Sequence, residues 1–525
     1  MTKMNRNASI KRIHDRKEPW DMLVIGGGAT GVGVAMDAAS RGLDVVLVEQ
    51  SDFGKGTSSR STKLVHGGVR YLQQGNITLV RDALRERTLL RRNAPHLVHD
   101  MPFLIPCESL WQRFYYGLGL KIYDLLAWSD NFGKSASVSA EQAGRDLPTL
   151  RRERHRGGVI YHDGQFDDTR LLINMAATAT QHGACLINYA AATDLIKDTD
   201  RKATGAVLID RENESEYSVH AKCIINAAGP FCDSIRQMDE TRCEPMLAAS
   251  QGVHIVLPRS FFPGNVALIV PKTSDGRVLF IIPWHDHVVV GTTDTPIETA
   301  TLEPSAQEHE IQFLIDTTAS YLERSPTRDD VQSVFVGIRP LVKGDKSART
   351  ASLSRDHVIR VSDSGLVTIT GGKWTTVRKM AEDCVDRVVK LADLNAKPCV
   401  TKTLKLHGCT DDAPTDTVRS FYGSDLAAIA TLESERPEWA TLLCEESSIR
   451  ASDVIWAVRN EMARTVEDVL ARRTRVLFLN SRAAVAIAPV VARWMADELG
   501  YDESWCQSQV TVFGQTARHF QLSSG

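Results

Sequence analysis

No Cys-x-x-Cys pair occurs among the ten cysteines of this 525-residue chain, and none of them joins a histidine at zinc-ligand spacing. The pattern predicts reduced thiols in a cytosol-facing protein without a metal site. No uncharged apolar run approaches the roughly eighteen residues of a spanning helix, and no signal-peptide core precedes the first apolar strand. The chain is therefore not expected to cross a membrane. An excess of one charge is lacking too: 62 Lys and Arg face 65 Asp and Glu, a formal net of -3. That balance argues against a partner such as nucleic acid, held by a basic surface, so any anion site must be local. Fixed-period repeats and low-complexity tracts are absent. The length exceeds what one core usually fills, which predicts two or three structural units.

What is present begins at Asp21-Met-Leu-Val-Ile-Gly26-Gly-Gly28-Ala-Thr-Gly31. An apolar β run meets Gly26-x-Gly28-x-x-Gly31, a small-residue helix follows to Gly42, and Asp44-Val-Val-Leu-Val-Glu49 closes a βαβ unit. Gly26 permits the tight turn, Gly28 lets a pyrophosphate approach the backbone, and Gly31 lets helix and strand pack closely. The helix N-terminus attracts the anion, and Glu49 is placed to accept ribose hydroxyls. The glycines do not distinguish NAD from FAD. The stretch Thr57-Ser58-Ser59-Arg60-Ser61-Thr62-Lys63-Leu64-Val65-His66-Gly67-Gly68-Val69-Arg70-Tyr71-Leu72 speaks for a prosthetic group held along its whole length, with hydroxyls on the pyrophosphate and glycine backbone against a flat ring.

Two later runs look like strands of the same sheet: Cys223-Ile-Ile-Asn226-Ala-Ala228-Gly229-Pro230, and Leu366-Val-Thr-Ile-Thr370 before Gly371-Gly372-Lys373 and a helix to about Leu391. The expected dinucleotide domain is thus discontinuous, comprising 18–90, 160–240 and 333–398. Segments 91–159 and 241–332 would form a substrate domain of antiparallel strands, near 253–258, 278–282 and 287–290. From 399 to 525 the pattern is Ala-, Leu- and Arg-rich, and a separate helical domain is expected.

Several motifs occur in one order: Val24-Ile-Gly-Gly-Gly28, Thr57-Ser-Ser59, Lys63-Leu-Val-His-Gly-Gly-Val-Arg-Tyr-Leu72, Asn226-Ala-Ala-Gly-Pro230, Gly252-Val-His254, Ile282-Pro-Trp284, Gly291-Thr-Thr-Asp294, Gly337-Ile-Arg339-Pro-Leu341 and Gly371-Gly-Lys373-Trp-Thr-Thr376. In these the chain resembles the FAD-dependent glycerol-3-phosphate dehydrogenases along nearly its whole length. The resemblance implies an α/β plus α+β protein with a glutathione-reductase-like FAD-binding domain, an antiparallel-sheet substrate domain and a helical C-terminal domain. It also implies oxidation of sn-glycerol 3-phosphate to dihydroxyacetone phosphate. Beside the glycine turn and Glu49, the cofactor residues would be Thr57, Ser58, Ser59, Lys63, Leu64, His66, Gly67, Gly68, Ala228, Gly229, Gly372, Lys373 and Thr375.

A dianionic phosphate needs cations and the C2 hydroxyl needs a base. Arg70, Arg339, Arg355 and Lys373 lie in or beside the shared motifs, with Tyr71 next to the first; Arg339 is the strongest choice. For the base, His254 sits in an apolar strand-like run and His66 is the second candidate; Lys373 could touch either flavin or substrate.

No second nicotinamide cradle and no iron–sulfur ligand set is present to take electrons onward, so a quinone or oxygen remains. The resemblance favours quinone. No EF-hand loop follows the third domain, unlike the mitochondrial versions, so a bacterial-type enzyme is expected, peripheral on the cytoplasmic face of the inner membrane. Leu110-Trp-Gln-Arg113-Phe-Tyr-Tyr-Gly117-Leu-Gly-Leu-Lys121-Ile-Tyr-Asp124-Leu-Leu-Ala-Trp128 reads either as a buried helix of the substrate domain or as a lipid-facing one. The basic first seventeen residues, with Lys3, Arg6, Lys11, Arg12, Arg16 and Lys17, read as a disordered tail or a contact with anionic lipid. A homodimer is among the partners considered. Rival readings are an oxygen-using glycerophosphate, amine or amino-acid oxidase and a non-catalytic flavin-binding protein.

Overall fold

Strand Trp20–Ile25 is buried at every position but Asp21. It runs parallel to Val45–Val48 on one side and Glu216–Asn226 on the other, as near-continuous apolar strands do in a sheet covered on both faces. The computed structural model describes residues 3–69, 76–273, 276–343, 357–410, 418–444 and 448–522. Within them the first sheet runs His357–Val361, Val367–Gly371, Glu216–Asn226, Trp20–Ile25, Val45–Val48, Cys185–Ile187. Alternation sends Met22 and Val24 into one core with helices Ala29–Ser40, Asp168–Gln181 and Val377–Leu391. Leu23 and Ile25 enter another, beneath the hairpin Ala190–Lys197 and Ala203–Asp210.

The second sheet is mostly antiparallel and is built around Leu247–Pro258, which pairs with His287–Gly291 on one edge and Ser333–Val342 on the other. Leu279–Trp284, Ala267–Val270, Val98–Pro106, Gly158–Phe166 and Leu64–Val65 extend it. These pairings shift three boundaries read from sequence. Ser333–Val342, Leu64–Val65 and residues 160–166, all expected in the dinucleotide domain, belong to the second sheet. Their own composition suits either sheet, and only long-range pairing decides; Val334 and Val336 fill the second core. After residue 400 the helices Leu426–Glu435, Ala451–Asn460, Ser481–Leu499 and Glu503–Ala517 follow, and the last three pack around Val454, Val491 and Phe513.

The reading of the N-terminus as a disordered tail is corrected. Residues Arg6–Asp15 form a helix capped by the Asn5 side chain, because its basic residues find partners within the fold. Arg6, buried, pairs with buried Asp210 at 2.7 Å and donates to Asn188 O at 3.0 Å. Arg16 reaches Asp44 at 2.9 Å and lies over the Trp20 ring. Arg6, Arg12 and Arg16 thus have carboxylate partners within the protein, while Lys3, Lys11 and Lys17 are exposed. Arg6→Ala, which leaves Asp210 buried without its cation, is expected to destabilise the chain by about 3–5 kcal/mol, read as a lower denaturation midpoint. A midpoint unchanged from the native chain would mean the helix is not anchored by this pair.

Candidate active site

The glycine turn is set by contact distances. Gly26 has φ +114°, and a Cβ there would sit 2.6 Å from Ala227 O. A Cβ at Gly31 would lie 1.9 Å from Gly26 O, so only glycine lets the helix approach the strand. The helix starts after Gly28, and Ala29 N–H donates to Ser58 Oγ at 2.9 Å. Glu49 Oε2 accepts Gly27 N–H at 2.6 Å and Oε1 accepts Ser51 N–H at 2.9 Å. Burial raises its pKa, opposed by those two N–H groups. Each oxygen keeps a lone pair for a ribose hydroxyl.

Around this turn lies a cavity of about 340 Å³. Its walls include Gly26, Gly28, Glu49, Thr57, Ser58, Ala228, Gly229 and Gly371–Trp374. A cleft with a helix N-terminus for the pyrophosphate and a carboxylate for the ribose fits FAD. Gly31 contributes packing only and does not line the cleft.

A second cavity, about 250 Å³, meets the first along Thr57, Pro340 and Gly371–Trp374. Strand pairing builds its floor: Arg339 lies opposite Ser250, Gly337 opposite Gly252 and Phe335 opposite His254, all at alternate positions on one face. A Cβ at Gly252 would come within 2.4 Å of Arg339 Nη2, so the glycine makes room for the guanidinium. Arg339 donates to Asp294 at 3.0 Å and to Thr293 O at 3.0 Å, which fixes its plane. His254 stacks on Phe335 with ring centroids 4.6 Å apart, and its Nε2 lies 2.9 Å from Thr62 Oγ1. Burial, then Arg339 and Lys63, push its pKa well below 6.5, so the imidazole is neutral at neutral pH and able to take a proton. Leu64, His66 and Thr375 line the same cavity. His66 N–H donates to Thr375 Oγ1 at 3.1 Å. Among the described lining residues are Arg60, Arg339, Lys373, His66 and His254, and no Asp or Glu.

Some expected residues stand elsewhere. Lys63 lines neither cavity: its ammonium is buried, held by both Asp168 oxygens at 2.8 Å and by Ser59 O at 2.7 Å, and surrounded by the rings of Trp284, Phe335 and Phe478. A buried ammonium requires a counter-charge, and Asp168, which also accepts Ser61 Oγ at 2.7 Å, makes this a brace for the hydroxyl-rich segment. Ser59, Gly67 and Gly68 also lie off both cavity walls; Gly67 N–H is 3.3 Å from Asp163 Oδ1. Arg70, Tyr71 and Arg355 lie outside the described residues.

Other wall residues went unassigned in the sequence. Trp374, whose indole N–H donates to Ser58 O at 2.9 Å, bridges the two motifs. Thr62 orients His254 and was legible only as one hydroxyl among several. Arg60 lines the second cavity, while its guanidinium is held by Glu303 at 2.7 Å and Val336 O at 3.2 Å. Phe280 arrives through its pairing with Gly291, which no local signal announces.

A dinucleotide cleft that shares a wall with a cationic, acid-free cavity defines the class: a flavin-type oxidoreductase acting on an anionic substrate. Residues 21–378 match the family described as FAD dependent oxidoreductase, and residues 367–506 match the C-terminal domain of alpha-glycerophosphate oxidase. The chain is 41% identical to the mitochondrial glycerol-3-phosphate dehydrogenase of Rattus norvegicus and 40% to that of Homo sapiens, in each case over 98% of its own length and 75% of the relative's. The glycerol-3-phosphate dehydrogenase of Bacillus halodurans, solved with FAD, superposes with a TM-score of 0.81 at 30% identity, covering 99% of this chain and 98% of that one. Glycine oxidase from Geobacillus kaustophilus shares the fold, with a TM-score of 0.53 at 16% identity over 76% of this chain and 100% of that one. The chain belongs to the FAD-dependent oxidoreductase family.

His254 carries a stability signature independent of turnover. Its folded pKa lies below the unfolded 6.5, so the unfolded chain binds the extra proton first as pH falls. Its contribution is complete above about pH 6.5 and declines below it by up to about 1.4 kcal/mol per pH unit. The stability difference between the native chain and His254→Gln, measured from pH 7 to 5, should show that slope. A pH-independent difference would mean the imidazole titrates normally.

Proposed function

We infer that this chain oxidises sn-glycerol 3-phosphate to dihydroxyacetone phosphate and passes the electrons to a quinone at a membrane surface. The observation that carries the substrate reading is the second cavity, with cations and two histidines but no described carboxylate in its lining. The names of the relatives aligned along nearly the whole chain support the same substrate. FAD, when bound in the glycine cleft, supplies the hydride acceptor for C2. Arg339, planar and fixed by Asp294, offers guanidinium donors to phosphate oxygens, and Lys373 adds an ammonium at the junction of the two cavities. Arg70, Tyr71 and Arg355 are proposed to complete the phosphate site. His254, held by Thr62 and neutral, accepts the C2 hydroxyl proton; His66 is the alternative. An amino-acid oxidase of this fold would need a cation for a carboxylate, and the additional cations favour a phosphate.

The membrane reading gains from helix Leu110–Ala127. Its inner side is Leu120, Tyr123 and Ala127; its outer side is Trp111, Phe114, Leu118, Ile122 and Leu125, with Trp111 72% exposed, and Trp128 follows. Two of its polar residues are tied to Ser135: Asp124 accepts the Ser135 hydroxyl at 2.6 Å, and Lys121 donates to Ser135 O at 2.5 Å. Aromatic and aliphatic side chains recurring every three or four residues on an exposed face suit the interface of a bilayer. No described helix is long and apolar enough to cross a membrane. Peripheral attachment on the cytoplasmic side is the location proposed, with electrons delivered to quinone there.

In a flavin-replete enzyme, Arg339→Ala should lower kcat/KM for glycerol 3-phosphate by about 30-fold to several thousand-fold, the cost of removing one partner of a desolvated charge pair. Native kinetics would remove Arg339 from the phosphate site. Anaerobic addition of glycerol 3-phosphate should bleach the flavin bands, and bleaching by glycine or D-amino acids instead would favour the oxidase reading.

The native chain should bind lipid vesicles with a component that resists salt, and the pair Trp111→Ser and Phe114→Ser should lose it while flavin reduction persists. Binding to vesicles that is abolished by salt alone, or absent, would count against this face.

A further inference from the structure

The loop between Glu49 and Ser58 is tied to the glycine turn: Gly54 N–H donates to Gly27 O at 3.0 Å, and Ser58 Oγ accepts Ala29 N–H at 2.9 Å. Its middle is gripped from the C-terminal domain. Asp52 is fully buried, and its Oδ2 receives Arg472 Nε at 2.5 Å and Arg473 Nη1 at 2.7 Å, while Oδ1 receives Arg473 Nη2 at 2.9 Å. Lys55, on the wall of the dinucleotide cleft, sends its ammonium to Glu467 at 2.5 Å and to Glu303 at 2.5 Å. Glu467 in turn accepts Arg472 Nη1 at 2.5 Å.

Consecutive side chains on an α-helix diverge by about 100°. Arg472 and Arg473 nonetheless converge on one carboxylate. They stand at the end of Asp468–Arg473, which is wound as a π-helix, a form often kept at functional sites. Burial would raise the pKa of Asp52 and Glu467, but the arginines, with Lys55 beside Glu467, hold both down to about 2. Asp52 and Glu467 are thus both ionised at neutral pH. An uncompensated Asp52 would place a negative charge in the loop that must approach an anionic pyrophosphate.

The geometry points to the C-terminal domain as a clamp on the cofactor loop. Arg472 and Arg473 neutralise and fix Asp52, Glu467 fixes Lys55, and residues 49–58 are held in the form that receives FAD. These three are positioning residues. By linkage, FAD binding and seating of the π-helix stabilise each other. This inference rests on cofactor binding alone, so a chain that oxidised some other substrate would still decide it.

The test uses the full-length chain, stripped of FAD and reconstituted. In the native chain FAD should slow backbone hydrogen exchange across residues 468–479. Glu467→Gln should raise the FAD Kd by roughly 5- to 150-fold, the span of ordinary site coupling, and remove most of that slowing. Arg473→Lys, which keeps the charge and loses the fork, should fall between the two. A merely structural contact would leave the exchange indifferent to FAD. That result, or a native FAD Kd in Glu467→Gln, overturns the proposal; the first measurement needs no variant to fold.

Discussion

The four residues Gly371 to Trp374 form a wall of both cavities, and the rest of the site is arranged around that constraint. Hydride transfer works over contact distance only, so the two ligands must meet directly beside these shared residues. Gly371 and Gly372 have φ of +80° and +72°, and a Cβ on Gly372 would lie 2.4 Å from Met380 Sδ. The segment leaves the carboxyl end of strand Val367–Gly371, parallel to the strand that ends at Asn226, where open α/β sheets place their ligands. The second sheet meets the first here, bringing Pro340 and Arg339 on its edge strand.

Charge is distributed in two tiers. Deep in the protein, Lys63 with Asp168, Arg472 and Arg473 with Asp52, and Arg6 with Asp210 join opposite charges, and each set holds a loop or helix in place. At the cavity, Arg339 keeps Asp294 as a partner, yet the lining offers cations without carboxylates. A dianion entering such a cavity meets guanidinium groups whose charge is shared with Asp294 and Glu303, outside the lining. His254 is kept neutral first by its burial, and Arg339 and Lys63 nearby add to that effect.

Local pattern was enough for the cradle. Gly26, Gly28, Gly31 and Glu49 act within thirty residues of one another, and each does so through the backbone or one short side chain. The strands ending at Asn226 and Gly371 and the apolar run around His254 were legible for the same reason. What failed depended on distant partners. Lys63 sits in the hydroxyl- and glycine-rich stretch expected to hold the cofactor, but Asp168, more than a hundred positions on, turns it inward. The basic N-terminus looked unstructured because Asp210 and Asp44 cannot be matched to it from sequence. Ser333–Val342 carries no mark of which sheet it joins, and the two arginines on Asp52 become meaningful only once the π-helix brings them together.

We propose that C2 of the substrate meets the cofactor directly beside Gly371–Trp374 while a neutral imidazole takes the hydroxyl proton. Stopped-flow flavin reduction with sn-glycerol 3-phosphate carrying deuterium at C2 tests this most directly. Reduction should be slower than with the unlabelled compound, and the rate in the native enzyme should hold as pH falls through 6.5, because the His254 pKa lies lower. Reduction that ignores the label and titrates at 6.5 would contradict it.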